Sequence, residues 1–155
     1  LTAHHTPGHT PDHLCFHWSA DNSLFTGDHI MGWSTTVIAP PDGHMGDYLA
    51  SLEHVRTLKT SRLIPTHGAP IEKGARFVRH LIGHRRWREQ QILSHLASNS
   101  PTSVSDMTPS LYPGLNPGLM MAAQLSVCSH LLHLEERGLV ASEAGPVMKK
   151  PYFIP

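Results

Sequence analysis

The sequence predicts an α/β fold in two parts, residues 1–84 and residues 85–155. Three observations point to it. Short strand-like runs ending in Pro- and Gly-containing loops recur up to residue 70. A long helical pattern begins at Lys73. A second helical stripe near the C-terminus is followed by two short strand-like runs separated by a Gly-Pro turn.

Leu1 to His5 reads as the end of a strand, and Thr6 to Pro11 as a loop. Leu14–Trp18 and Ser23–Phe25 read as a hairpin across Ala20-Asp21-Asn22. Thr26 to Pro41 reads as a loop with a strand-like patch at Thr35–Ile38. Met45, Leu49, Leu52 and Val55 recur at helical spacing, predicting a helix over about 46–59. Arg62–Ile64 reads as a buried strand ending at Pro65, with a tight loop at Thr66–Pro70. Lys73–Leu96 reads as a long helix with a bend near Gly83. Ser98–Pro101 breaks it, and a short helix follows at Ser105–Leu111. Asn116-Pro117 has the form of an N-cap with Pro at the first helical position. Met120, Ala123, Val127, Leu131 and Leu134 give the stripe of the helix behind it, and Gly138 stands at its C′ position. Val140–Ser142 and Tyr152–Ile154, joined through Gly145-Pro146, resemble the wing of a winged helix.

Composition narrows the partners. Apolar residues make up 39 %, enough for a core in a chain of 155 residues. No apolar run approaches the ~18 residues of a membrane span, so no membrane role is expected. Lys plus Arg and Asp plus Glu are 12 each, which favours neither nucleic acid nor a membrane surface. No Lys or Arg precedes Arg56, so the first third offers Asp and His without competing cations. Cys15 and Cys128 fall in different parts, so no disulfide is expected and a reducing cytoplasm is the default.

The chemistry sits in three segments: His5-Thr6-Pro7-Gly8-His9-Thr10, Thr26-Gly27-Asp28-His29 and Pro65-Thr66-His67-Gly68. Each puts an imidazole or a carboxylate on a tight loop after a strand-like run. A ligand carried on such a loop loses little freedom when it binds a metal. Nitrogen and carboxylate donors suit zinc, iron or manganese better than calcium. His9, Asp28 and His67 are the expected ligands.

In this order the three segments resemble the third, fourth and fifth motifs of the metallo-β-lactamase superfamily. The long helix and winged-helix tail resemble its lactamase-β-like branch. The resemblance implies the C-terminal half of an αββα metallo-β-lactamase fold followed by a small winged-helix α+β domain. It implies a dinuclear zinc site in which His9 completes the first metal's ligands, Asp28 bridges both and acts in catalysis, and His67 holds the second. The family's His-x-His-x-Asp-His motif is absent, and no His-x-His pair occurs. The expectation is that this motif lies in an N-terminal half missing here, and that this fragment alone is inactive.

Other residues carry weaker readings. Of 14 histidines, His29 reads as packing, His13 as a hydrogen-bonding residue under the first loop, and His44 as a border of a substrate pocket. His4 and His5 are not first-choice ligands. Lys73, Arg76, Arg79, Arg85, Arg86 and Arg88 form either a strip for RNA or a solvated helix face, the second being preferred. The helix over Pro117–Arg137 has one Arg, no Lys, and Glu135 and Glu136, which argues against DNA. The tail reads as a packing or homodimerisation module.

The function expected is metal-assisted hydrolysis of a small-molecule ester, thioester or lactone, with a water acidified to about pKa 7 by the metal. One alternative is a single-strand endoribonuclease of the same fold. Another is a non-catalytic winged-helix scaffold with a degenerate hydrolase half.

Overall fold

A computed structural model describes all residues, Leu1–Pro155. The chain divides into two compact units, Leu1–Arg85 and Arg86–Pro155.

The first unit is built on one five-stranded sheet: β1 (Thr2–His5), β2 (Leu14–Trp18), β3 (Ser23–Gly27), β4 (Arg62–Pro65) and β5 (Ile71–Glu72), in that spatial order. β1, β2 and β3 form an antiparallel meander, and β3 pairs with β4 in parallel. β5 is a two-residue addition antiparallel to β4, at Ile71–Glu72, between the loop and the helix read from sequence. Two antiparallel steps separate β1 from β3, so β1, β3 and β4 run the same way. Their C-terminal ends therefore share one edge of the sheet.

Helix α1 (Met45–Thr57) lies against the sheet and buries Met45, Tyr48, Leu52 and Val55 with Cys15, Leu24 and Leu63. His44 caps it: its imidazole accepts the Asp47 N–H at 3.2 Å. The other sheet face is left open. Leu14, Phe16 and Trp18 project there at 44 %, 41 % and 45 % exposure. Trp18 stacks on Phe25 across the hairpin.

The expected strand at Thr35–Ile38 does not form; those residues are loop. The Thr36 hydroxyl donates to the Asp28 carbonyl at 2.8 Å, the Thr36 carbonyl accepts from Arg85, and Ile38 is fully buried. Side chains thus satisfy polar groups that a ladder would otherwise take.

Helix α2 runs unbroken through Gly83, from Gly74 to Asn99. Lys73 before it takes a positive φ of 60°. The solvated-face reading fails for two of its cations. Arg85 and Arg88 are 2 % and 6 % exposed. The Arg85 guanidinium lies 5.1 Å from the Tyr48 ring. The Arg88 guanidinium lies 3.9 Å from the Tyr112 ring and donates to the Leu111 carbonyl at 2.9 Å. Burial is tolerable because each cation gains an acceptor and an aromatic face.

The second unit holds α3 (Val104–Leu111), a 3-10 turn at Pro117–Leu119, α4 (Met120–Glu136), and the strands β6 (Ala141–Ser142) and β7 (Tyr152–Phe153). Ser103 caps α3 through the Asp106 N–H, and Asn116 caps the 3-10 turn through the Gly118 N–H. α4 ends in paired bonds, Leu139 N–H to Leu134 O and Gly138 N–H to Glu135 O, with Gly138 at φ 69°. β6 and β7 pair antiparallel, and Thr102 bridges to Tyr152 as a third edge. Ile92, Leu96, Val104, Met107, Val127, Leu131, Leu134 and Tyr152 form the core. Both cysteines are free and buried, and burial raises each thiol to about 11. No helix is long and apolar enough to cross a membrane.

Glu89 on α2 is the buried acid of this unit. Its Oε2 accepts from Arg137 Nη1 at 3.1 Å, and His130 and His133 lie 3.8 Å from Oε1. Burial by itself would raise the carboxyl, but nearby His130, then the His133 and Arg137 charges, outweigh it and hold it below its usual range. A lowered carboxyl stabilises the fold above its unfolded value of about 4.3 and loses that contribution as pH falls through the folded value. Urea midpoints of wild type and Glu89→Gln should therefore differ at pH 7 and converge only once pH has fallen below the carboxyl's lowered folded value. Gly8→Ala should cost about 3 kcal/mol or more in urea unfolding. Its φ is +131°, and a Cβ there would sit 2.3 Å from the Tyr48 Cα.

Candidate metal centre

The three expected ligands follow β1, β3 and β4, at the shared edge. Parallel pairing brings Gly27 opposite Pro65, so Asp28 and His67 leave neighbouring strand ends. The Thr66 N–H donates to the Gly27 carbonyl at 3.2 Å and keeps the two chains together past the strands. Beyond them the backbones touch: the Gly32 N–H donates to the His67 carbonyl at 2.8 Å. A Cβ on Gly68 would sit 2.8 Å from the Gly32 backbone, and Gly68 has φ +93°. Only glycine at both positions lets the loops close.

His67 Nε2 and Asp28 Oδ1 come within 3.5 Å. That is too long for a good hydrogen bond, and Asp28 Oδ1 is buried with no hydrogen-bond partner. His9 is held from behind: its Nδ1 donates to the Val37 carbonyl at 2.9 Å. This bond leaves Nε2 as the lone-pair nitrogen, the arrangement typical of a ligating histidine. The loop carrying His9 is anchored by His44 N–H to Gly8 O at 2.9 Å and by the Ser51 hydroxyl to Pro7 O at 2.8 Å.

A ring of histidines backs these groups. His13 Nδ1 lies 2.9 Å from the Thr6 hydroxyl, and its Nε2 fills the space a Cβ on Gly27 would need. Burial and the nearby His9 lower His13, against the opposing pull of Asp28 and Asp12. His29 is fully buried with its ring 4.9 Å from Tyr48. Burial, then His13 and His9, push it down to about 3. A neutral His29 packs, as its position in the sequence suggests.

The donor chemistry fits a borderline dication: one orphaned carboxylate oxygen, one imidazole oriented by its rear nitrogen, and one imidazole facing that carboxylate. No three His, Cys, Asp or Glu side chains converge as a complete ligand set. Sequence reading missed the roles of Thr36, Val37 and Gly32. Gly32 and Gly68 were the available signal, being glycines in two loops that had to approach each other. Trp33 is 75 % exposed.

Residues 1–67 match the metallo-beta-lactamase superfamily, and residues 103–149 match the beta-lactamase associated winged helix domain. The chain is 35 % identical over 136 residues to the Beta-lactamase-like protein 2 homolog of Drosophila melanogaster, covering 86 % of this chain and 45 % of that protein. It is 28 % identical over 163 residues to the lactamase-like protein aptB of Emericella nidulans, covering 99 % of this chain and 52 % of that protein. The chain thus spans about half the length of the relatives it matches. It shares its fold with a metallo-beta-lactamase family protein of Thermus thermophilus, at TM-score 0.82 and 23 % identity over 99 % of this chain and 48 % of that one. A beta-lactamase domain protein of Burkholderia ambifaria has the same TM-score of 0.82 at 24 % identity, over 96 % of this chain and 46 % of that one. With its motif loops on one sheet edge and a wing behind α4, the chain belongs to the metallo-β-lactamase superfamily and carries the winged-helix domain associated with it.

Proposed function

We propose that this chain supplies part of the active site of a metal-dependent hydrolase, zinc being the metal and a small ester, thioester or lactone the substrate. The observation that carries this is the uncommitted Asp28 Oδ1, buried at the sheet edge beside His67 Nε2. Asp28, His67 and His9 are the residues that would hold the metals, with Asp28 reaching both. The chemistry such metals supply when bound is water activation near neutral pH and polarisation of the substrate's carbonyl or phosphoryl oxygen. The chain's own residues orient the donors. Val37 O fixes the His9 tautomer, Thr36 pins the Asp28 backbone, and the Gly32–Gly68 contact sets the spacing of Asp28 and His67.

The open sheet face supports a partner in the rest of a longer protein. Leu14, Phe16, Trp18 and Phe25 make one apolar surface on a sheet already covered by α1 on its other side. A preceding half carrying His-x-His-x-Asp-His would cover that surface and add the remaining ligands.

A second reading, cleavage of single-stranded RNA, draws on one groove of about 310 Å³ lined by Glu72, Lys73, Arg76, Phe77 and His80. Phe77 offers a stacking face and the cations offer phosphate contacts. Arg85 and Arg88, being buried, add nothing to such a track.

Chelator competition should find weak zinc binding by residues 1–155, weakened further by Asp28→Asn or His67→Ala. No turnover of ester, thioester, lactone or RNA is expected from this chain alone. Tight stoichiometric zinc with turnover would refute the half-site reading, and zinc affinity indifferent to both substitutions would refute the ligands. In a longer polypeptide with the His-x-His-x-Asp-His segment upstream, the same substrates should be screened. Asp28→Asn should there lower kcat by about a hundredfold or more, and unchanged turnover would remove Asp28 from the site.

A further inference from the structure

A second cluster of imidazoles lies away from the motif loops, between β1, β2 and α1. His4 on β1 and His17 on β2 project from the same sheet face, since His4 pairs with Cys15 and Thr2 pairs with His17. α1 crosses that face and brings His54 down onto it. His4 Nδ1 and His54 Nε2 are 3.0 Å apart, and their ring centroids are 5.1 Å apart. His17 lies across His4 at 6.2 Å between centroids, its Nε2 bonded to Asn22 Oδ1 at 3.0 Å.

We propose that His4 and His54 form a two-nitrogen clamp for a late first-row transition-metal dication, independent of the Asp28–His67 centre. Metal–imidazole bonds are about 2.0–2.1 Å, so two of them at 90–109° hold their nitrogens about 2.9–3.3 Å apart. The 3.0 Å separation lies in that range. The nitrogen separation therefore matches that of a chelate, and with the rings turned to aim both lone pairs at it a metal would replace the proton the two nitrogens share. Whichever ring donates that proton moves it to its own second nitrogen, so no net proton is released.

Two further features favour a cation here. Burial, then the neighbouring His54 and His17, disfavour protonation of His4, which keeps imidazole lone pairs available at neutral pH. His54 stands in the last turn of α1, where the carbonyl end of the helix favours positive charge. His54 is exposed, so the metal enters from solvent and water fills its other positions. No third protein ligand converges, so the site is a pair. Imidazole pairs select Cu²⁺, Ni²⁺ and Zn²⁺ over Ca²⁺ and Mg²⁺, with Cu²⁺ bound most strongly.

The test uses the full chain with His9→Ala, Asp28→Asn and His67→Ala, so that the motif loops cannot contribute. Cu²⁺ is titrated, its stoichiometry read by equilibrium dialysis and its nitrogen ligands counted by electron paramagnetic resonance. One Cu²⁺ with two nitrogen ligands is expected. Adding His54→Gln, a change at an exposed helix position, should weaken binding by about tenfold or more and leave a one-nitrogen signal. His4→Gln should do the same wherever circular dichroism shows it folded; if it does not fold, His54→Gln alone decides. An unchanged affinity and nitrogen count in the His54→Gln protein overturns the proposal, as does Cu²⁺ bound only at several weak equivalents.

Discussion

The parallel pairing of β3 with β4 is the constraint on which the candidate site rests. It sets Gly27 opposite Pro65 and so delivers Asp28 and His67 to adjacent positions on the same sheet edge. Nothing in the side chains alone would hold them there, because a carboxylate and an imidazole at 3.5 Å gain little from each other at a partly exposed edge. The backbone holds them instead. Gly68 and Gly32 lie so close that a single Cβ would force the loops apart. In the loop after β1, Gly8 sits against Tyr48 and ties the His9 loop to the start of α1. Three loops are thus fixed by main-chain contact, and Asp28 Oδ1 is left without a hydrogen-bond partner.

The same logic of satisfied backbone and buried charge runs along α2. A helix rich in Arg would normally turn its cations to water. Here Arg85 reaches a loop carbonyl and a tyrosine ring within the first unit, and Arg88 reaches Leu111 and Tyr112 within the second. Glu89, one residue on, is held by Arg137 and two histidines of α4. Each buried charge has an opposite charge, an acceptor or an aromatic face. A reading of α2 as a continuous basic strip therefore loses two of its six cations to packing.

The sheet is apolar on both faces, and this bears on what the chain does. α1 covers one face, and histidines rather than aliphatics fill its far corner, where His4, His17 and His54 meet. The other face presents Leu14, Phe16 and Trp18 in the alternation of a buried strand. A sheet apolar on both sides calls for cover on both sides, in keeping with relatives about twice as long as this chain.

Much of the fold was legible in local pattern. The hairpin, α1, the capped ends at Asn116 and Gly138, and the wing all follow from period, turn chemistry and caps, which act within a few residues. The candidate ligands were legible as motif loops after strand-like runs, and resemblance ordered them. What the sequence by itself determined was therefore the elements, the caps and which loops carry donors. Tertiary structure alone decided that Thr35–Ile38 would be loop, because Thr36 finds partners across its loop at Asp28 and, far off in sequence, at Arg85. It alone decided that Arg85 and Arg88 would be buried and that His4 would meet His54. These outcomes depend on which distant groups come within 3 to 5 Å, a quantity set by packing that no local pattern encodes.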